Sequence, residues 1–102
     1  MPFKITSVKT RYFEFENPDD GRILYIEPPK MKTLKELEDM QKARDTRVMD
    51  VACLLARLIS KNKRNFKISP EKVLSWMDMD QMQAFMKAYM GWLSNEHQTD
   101  PN

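Results

Sequence analysis

The stretch from Arg47 to Lys61 carries Val48, Met49, Val51, Ala52, Leu54, Leu55, Ala56, Leu58 and Ile59. At 100° per residue these side chains cover roughly 220° of a helix circumference, and Asp50, Arg57 and Lys61 fall together on the polar remainder. A helix apolar over so much of its surface must be enclosed by neighbours, which makes it the hub of whatever fold the chain adopts. It is no membrane span, because its apolar part, Val48 to Ile59, contains Asp50 and Arg57 and is about half the length a bilayer requires.

What surrounds that hub changes character along the chain. Phe3, Ile5, Val8, Tyr12, Phe13 and Phe15 sit among Thr, Lys and Arg, a composition that suits strands. Ile5 and Val8 are out of phase, so a bulge or bend near Thr6-Ser7 is expected. Glu16-Asn17-Pro18-Asp19-Asp20-Gly21 is a turn, since it supplies a preset φ, side-chain caps and a left-handed position. Ile23, Leu24, Tyr25 and Ile26 then resume a strand and complete a β-hairpin. Pro28-Pro29 ends the pairing, because neither residue has an amide hydrogen to give a ladder.

From Thr33 the pattern is helical. Thr33 and Glu36 have capping-box spacing, and Leu34, Leu37 and Met40 mark one apolar stripe ending near Arg44-Asp45-Thr46. After the hub and a basic connector, Lys61 to Lys67, comes Ser69-Pro70-Glu71, with cap, first-turn proline and acid in the order a helix dipole favours. A short helix to about Met77 follows, and Asp78 offers a fresh N-cap for a last helix to about Asn95. The expected fold is therefore α+β: one domain over 1–95, with a hairpin in 3–30, three to four helices in 33–95, and a disordered polar tail over 96–102.

Composition excludes several kinds of chemistry. The 102 residues include only 2 Gly, so a glycine-rich phosphate loop is not expected. With 1 Cys and 1 His, the chain can form no disulfide within itself and lacks the usual zinc or haem ligands. The first residues show no signal-peptide core, which points to a cytoplasmic protein. Asp19-Asp20, Glu36-Glu38-Asp39 and Asp78-Asp80 lie where turns, exposed helix faces and caps want acids, and no catalytic pair is assigned among them. Cys53 lies within the apolar helix, where a thiol behaves as a small hydrophobe and is read as structural. His97 lies in the polar tail with nothing to orient it as a base. No enzyme, cofactor or metal site is expected.

Two surfaces remain as binding candidates. The connector holds Lys61, Lys63, Arg64 and Lys67 beside Phe66, a pattern compatible with phosphate contacts. Yet residues 69–102 carry five acidic against two basic side chains and the whole chain is only +2, so the broad basic face of a nucleic-acid binder is missing. A nucleic-acid-binding regulator stays as the alternative. The stronger candidate is the last helix, where Met79, Met82, Phe85, Met86, Tyr89, Met90, Trp92 and Leu93 fill an arc of about 160°. The chain has 9 Met, five of them between Met77 and Met90. Methionine is flexible and polarizable and recurs on surfaces that accept varied apolar partners. The expected partner face is Met79, Met82, Phe85, Met86, Tyr89 and Trp92.

The order of elements resembles the small tail assembly chaperones of long-tailed bacteriophages and prophages. The resemblance is carried by the strand pair ending Asp20-Gly21-Arg22-Ile23-Leu24-Tyr25-Ile26-Glu27-Pro28-Pro29-Lys30, by the helix Leu34-Lys35-Glu36-Leu37, and by the apolar middle helix. Ile68-Ser69-Pro70-Glu71-Lys72-Val73-Leu74, leading to the aromatic helix around Trp92, completes it. It covers most of residues 8–93 and rests on order and length more than on an invariant motif. It implies a non-enzymatic protein of the bacterial host cytoplasm that binds the tape-measure protein, and tail-tube subunits, to keep apolar helices soluble during tail assembly. It further implies self-association, and in many members a longer form made by ribosomal frameshifting.

Overall fold

The computed structural model describes residues 1–43 and 45–95. The expected disordered tail, 96–102, and His97 within it lie outside the described residues. The fold is α+β: a two-stranded antiparallel hairpin followed by four helices. Strand β1, Phe13–Glu16, pairs with β2, Ile23–Ile26, in the register Phe13 to Ile26 and Phe15 to Leu24. The turn between them is built as its residues dictate. Asn17 Oδ1 accepts from Asp19 N–H at 2.8 Å, Gly21 N–H donates to Asn17 O at 2.8 Å, and Gly21 takes a φ of 77° that a side chain would resist.

The expected first strand is shorter than its composition suggests. Ile5–Ser7 form a 3-10 turn, which accounts for the phase change between Ile5 and Val8, and every residue from 1 to 10 is exposed. Only from Phe13 does the strand have a partner. There the alternation is clean, with Phe13, Phe15, Leu24 and Ile26 facing inward while Glu14, Glu16, Ile23 and Tyr25 face solvent.

Helix α1 spans Met31–Lys42, α2 spans Val48–Ser60, α3 spans Pro70–Trp76 and α4 spans Met79–Asn95. The Thr33–Glu36 capping box does not form. The helix starts three residues earlier, with Lys30 instead of Thr33 at its N-cap and making no side-chain bond, so Thr33 lies inside the first turn. Glu36 instead pairs with Arg57 and ties α1 to α2. The later caps are as expected. Ser69 Oγ accepts from Lys72 N–H at 3.1 Å ahead of Pro70. Asp78 Oδ1 accepts from Gln81 N–H at 2.8 Å while Gln81 Oε1 accepts from Asp78 N–H at 2.9 Å, a reciprocal cap.

Helix α2 is the hub. Ala52, Leu54, Leu55, Ala56, Leu58 and Ile59 are buried, joined in the core by Leu24 and Ile26 of the hairpin, Leu37 of α1 and Val73 of α3. Leu34 and Met40 pack on the same cluster, so the apolar stripe of α1 is used as its spacing implies. Cys53 departs from its expected role. It is exposed, because it shares the solvent strip with Asp50 and Arg57, three residues before it and four after it.

The basic connector is also more ordered than its charge suggests. Glu27 N–H donates to Lys61 O and Lys63 N–H to Tyr25 O, both at 2.9 Å, so residues 61–63 lie against β2 as a short third rung. Asn62 is fully buried beneath it. Its Nδ2 donates to Ile59 O and Phe66 O, each at 2.8 Å, and its Oδ1 accepts from Arg64 and Phe66 N–H, at 3.2 and 3.0 Å. Asn65 takes a φ of 58°, a left-handed conformation that Asn tolerates better than most residues.

Candidate functional site

Helix α4 joins two different environments. Phe85, Tyr89 and Trp92 lie at spacings of four and three residues and form one stripe, which meets the inner face of β1. The Phe13 ring lies 5.8 Å from Phe85, 5.5 Å from Tyr89 and 5.5 Å from Trp92, and Phe15 lies 5.5 Å from Phe85 and 5.9 Å from Trp76, measured between centroids. Most of these contacts are edge-to-face, the arrangement ring quadrupoles favour. Arg11 closes the far end, with its guanidinium 4.5 Å from the Trp92 centroid and its Nη atoms donating to Trp92 O and Leu93 O at 3.2 Å. This complements the negative end of the α4 dipole.

The second stripe of α4 is Met79, Met82 and Met86, turned by about 90° from the aromatic one at 100° per residue. These three form one wall of an open groove of about 500 Å³, whose other walls come from the end of α1, the first turns of α2, and α3. Met40 and Met77 also line it, so five of the chain's methionines converge here, opposite Val48, Val51, Leu55 and Leu74. Several of these are conspicuously bare: Met79 is 56% exposed and Val48 62%. Among the described residues, Asp78 is the one charged residue lining the groove. Thr46 Oγ1 donates to Met40 O at 3.2 Å and holds the connection between α1 and α2 beside it.

The single partner face expected along α4 is therefore divided. Met79, Met82 and Met86 line the groove, although Met86 is itself mostly covered. Phe85 and Tyr89 are core residues and Trp92 is half-buried against Phe13, so none of these three lies on the groove. Periodicity identifies an apolar arc but does not say which part a neighbour covers. Val48 and Val51, expected within the enclosed apolar arc of α2, belong instead to the groove, and Leu74 of α3 lines it with them. Signs were present in the sequence, since Val48 and Met49 extend the apolar arc of α2 into its first turn, where fewer neighbours can cover it.

Tyr89 is fully buried, and its Oη has no hydrogen-bond partner among the described residues. Burial pushes its phenol well above the ordinary range. In the connector, Lys63 lies 5.5 Å from the ring centroid of Tyr12, which in turn makes an edge contact with Tyr25. Arg64, Phe66 and Lys67 are exposed. Among the described residues no group of three or more His, Cys, Asp or Glu side chains is placed to hold a metal ion, and no helix is long and apolar enough to cross a membrane.

Comparison with known protein families, with curated proteins and with solved structures gives no match to this chain.

Proposed function

We propose that the protein is a non-enzymatic binding protein that receives an apolar helical segment of a client in the methionine groove. The observation that carries this reading is the convergence of Met40, Met77, Met79, Met82 and Met86 on one open groove in which Asp78 is the one charged lining residue among the described residues. Thioether side chains reshape themselves to different apolar surfaces at little cost, which gives affinity without demanding one sequence. An apolar opening of this kind on so small a domain is otherwise a liability, and such patches commonly mark interaction sites.

Together with the resemblance in element order, this supports a tail assembly chaperone. In that role the groove holds apolar helices of the tape-measure protein, or a segment of a tail-tube subunit, until assembly displaces it. The test is co-expression with a tape-measure protein of a long-tailed phage. The wild type keeps that protein in the soluble fraction, and a Met79→Asp/Met82→Asp variant with unchanged circular dichroism does not. Equal solubility with both chains, or with neither, contradicts the reading.

A further inference from the structure

The exposed segment before β1 has an apolar character that its surroundings do not use. Phe3, Ile5 and Val8 are 77%, 80% and 59% exposed, and among the described residues the stretch makes local hydrogen bonds, Ser7 N–H and Oγ to Lys4 O and Val8 N–H to Ile5 O. From Phe3 to Val8 is five residue steps, which at 2.0 to 3.3 Å each span roughly 10 to 16 Å. The methionine wall from Met79 to Met86 measures roughly 10 Å at 1.5 Å per residue. Charges match as well. The segment carries Lys4 and Lys9 and no acid, while the α4 end of the groove presents Asp78, with Asp80 two residues further on.

The segment's own groove is in the wrong direction. Read backwards from the turn, Phe15 touches Phe85, Phe13 touches Tyr89 and Trp92, and Arg11 reaches Trp92 O and Leu93 O. The chain thus leaves the domain at the C-terminal end of α4, heading away from a groove built on its N-terminal half. We infer that the occupant is the arm of a second copy: residues 3–8 of one chain lie in the methionine groove of another, with Phe3, Ile5 and Val8 against Met79 and Met82 and a lysine beside Asp78. The inference rests on the groove being a binding surface and not on which client it serves. It makes the arm a competitor that covers the groove until a client takes its place.

The experiment is light scattering over a concentration series on three full-length chains: wild type, an arm variant Phe3→Asp/Ile5→Asp, and a groove variant Met79→Asp/Met82→Asp. All the substituted residues except Met82 are exposed, and the arm variant alters nothing the core uses, so its fold is secure. Wild type should associate as concentration rises, and each variant should associate at least tenfold more weakly. An equimolar mixture of the two variants should regain association, because one supplies an intact groove and the other an intact arm. A monomeric wild type, an arm variant that associates as tightly as wild type, or a mixture that stays monomeric overturns the exchange. An apolar helical peptide separates this from the proposed function. The arm variant should bind it more tightly than wild type, and a failure to bind the peptide while arm exchange persists counts against client binding alone.

Discussion

Asp19, at the tip of the hairpin, accepts a hydrogen bond from Trp76 Nε1 at 3.0 Å across 57 positions of sequence, and its other oxygen pairs with Lys72 Nζ at 2.9 Å. The turn is thereby latched to α3, beneath which Phe15 and Trp76 rings meet. The latch fixes the hairpin against the helices from one end, and Arg11 does so from the other.

The latch makes stability sensitive to acid. Lys72 and then Trp76 hold the Asp19 carboxyl below the usual carboxylate range. A depressed folded value means the stabilisation is complete above the unfolded pKa of about 3.9 and is lost as pH falls through the folded value. The thermal midpoint of wild type should therefore exceed that of Asp19→Asn at about pH 6, and the gap should close towards about pH 2. Because the carboxylate is exposed, the gap is small. A difference that stays constant over that range contradicts the latch.

Tyr89 gives a sharper contrast. Its hydroxyl is buried without a partner among the described residues, so Tyr89→Phe should be neutral or stabilising by up to about 1 kcal/mol in urea unfolding. Tyr89→Ala, which empties the space between Phe13 and Phe85, should cost about 3 to 5 kcal/mol. The raised phenol also sets a sign at high pH. Its contribution is intact below the unfolded value of about 10 and is lost above it, so wild type should weaken there and Tyr89→Phe should not.

Asn62 holds the connector in place through four hydrogen bonds. Asn62→Leu keeps the volume but leaves the Ile59 and Phe66 carbonyls and the Phe66 amide without it, and should cost about 2 to 3 kcal/mol. Hydrogen exchange should show the loss first at Lys63 and Glu27, whose amides bond between the connector and β2. An unchanged unfolding midpoint would mean the network carries no weight.

Much of this fold was legible because it is written in local chemistry. Asn17 to Gly21 announces a turn, Ser69-Pro70 and Asp78 announce helix starts, and the apolar arc of α2 announces a hub. Asn62 was not legible, since a polar residue inside a basic run reads as surface, and only the approach of β2 explains its burial. Thr33 and Glu36 matched a cap that an earlier start at Met31 made unnecessary. The candidate site was half legible. The methionines stood out, but the division of α4 between Met79, Met82 and Met86 on one side and Phe85, Tyr89 and Trp92 on the other depends on where β1 lies, which periodicity does not encode.

The connector supports its own test of the alternative reading. Lys61, Lys63, Arg64 and Lys67 near Tyr12 and Phe66 would bind single-stranded nucleic acid by phosphate contact and stacking, with affinity falling steeply as salt rises. On the present account a titration with oligonucleotides at about 50 and about 200 mM salt finds only weak association at the lower value and none at the higher. Tight binding that survives the higher salt and is lost in Lys63→Glu/Arg64→Glu would favour the nucleic-acid reading.

The nine methionines make the central claim directly measurable. With their methyl groups isotopically labelled, an apolar helical peptide can be titrated into the protein and followed by nuclear magnetic resonance. The groove account predicts that Met40, Met77, Met79, Met82 and Met86 shift together along one binding curve, while Met31, exposed at the start of α1, and Met90, outside the groove lining, stay in place. Shifts confined to residues outside the groove, or a spectrum the peptide leaves unchanged, would contradict it.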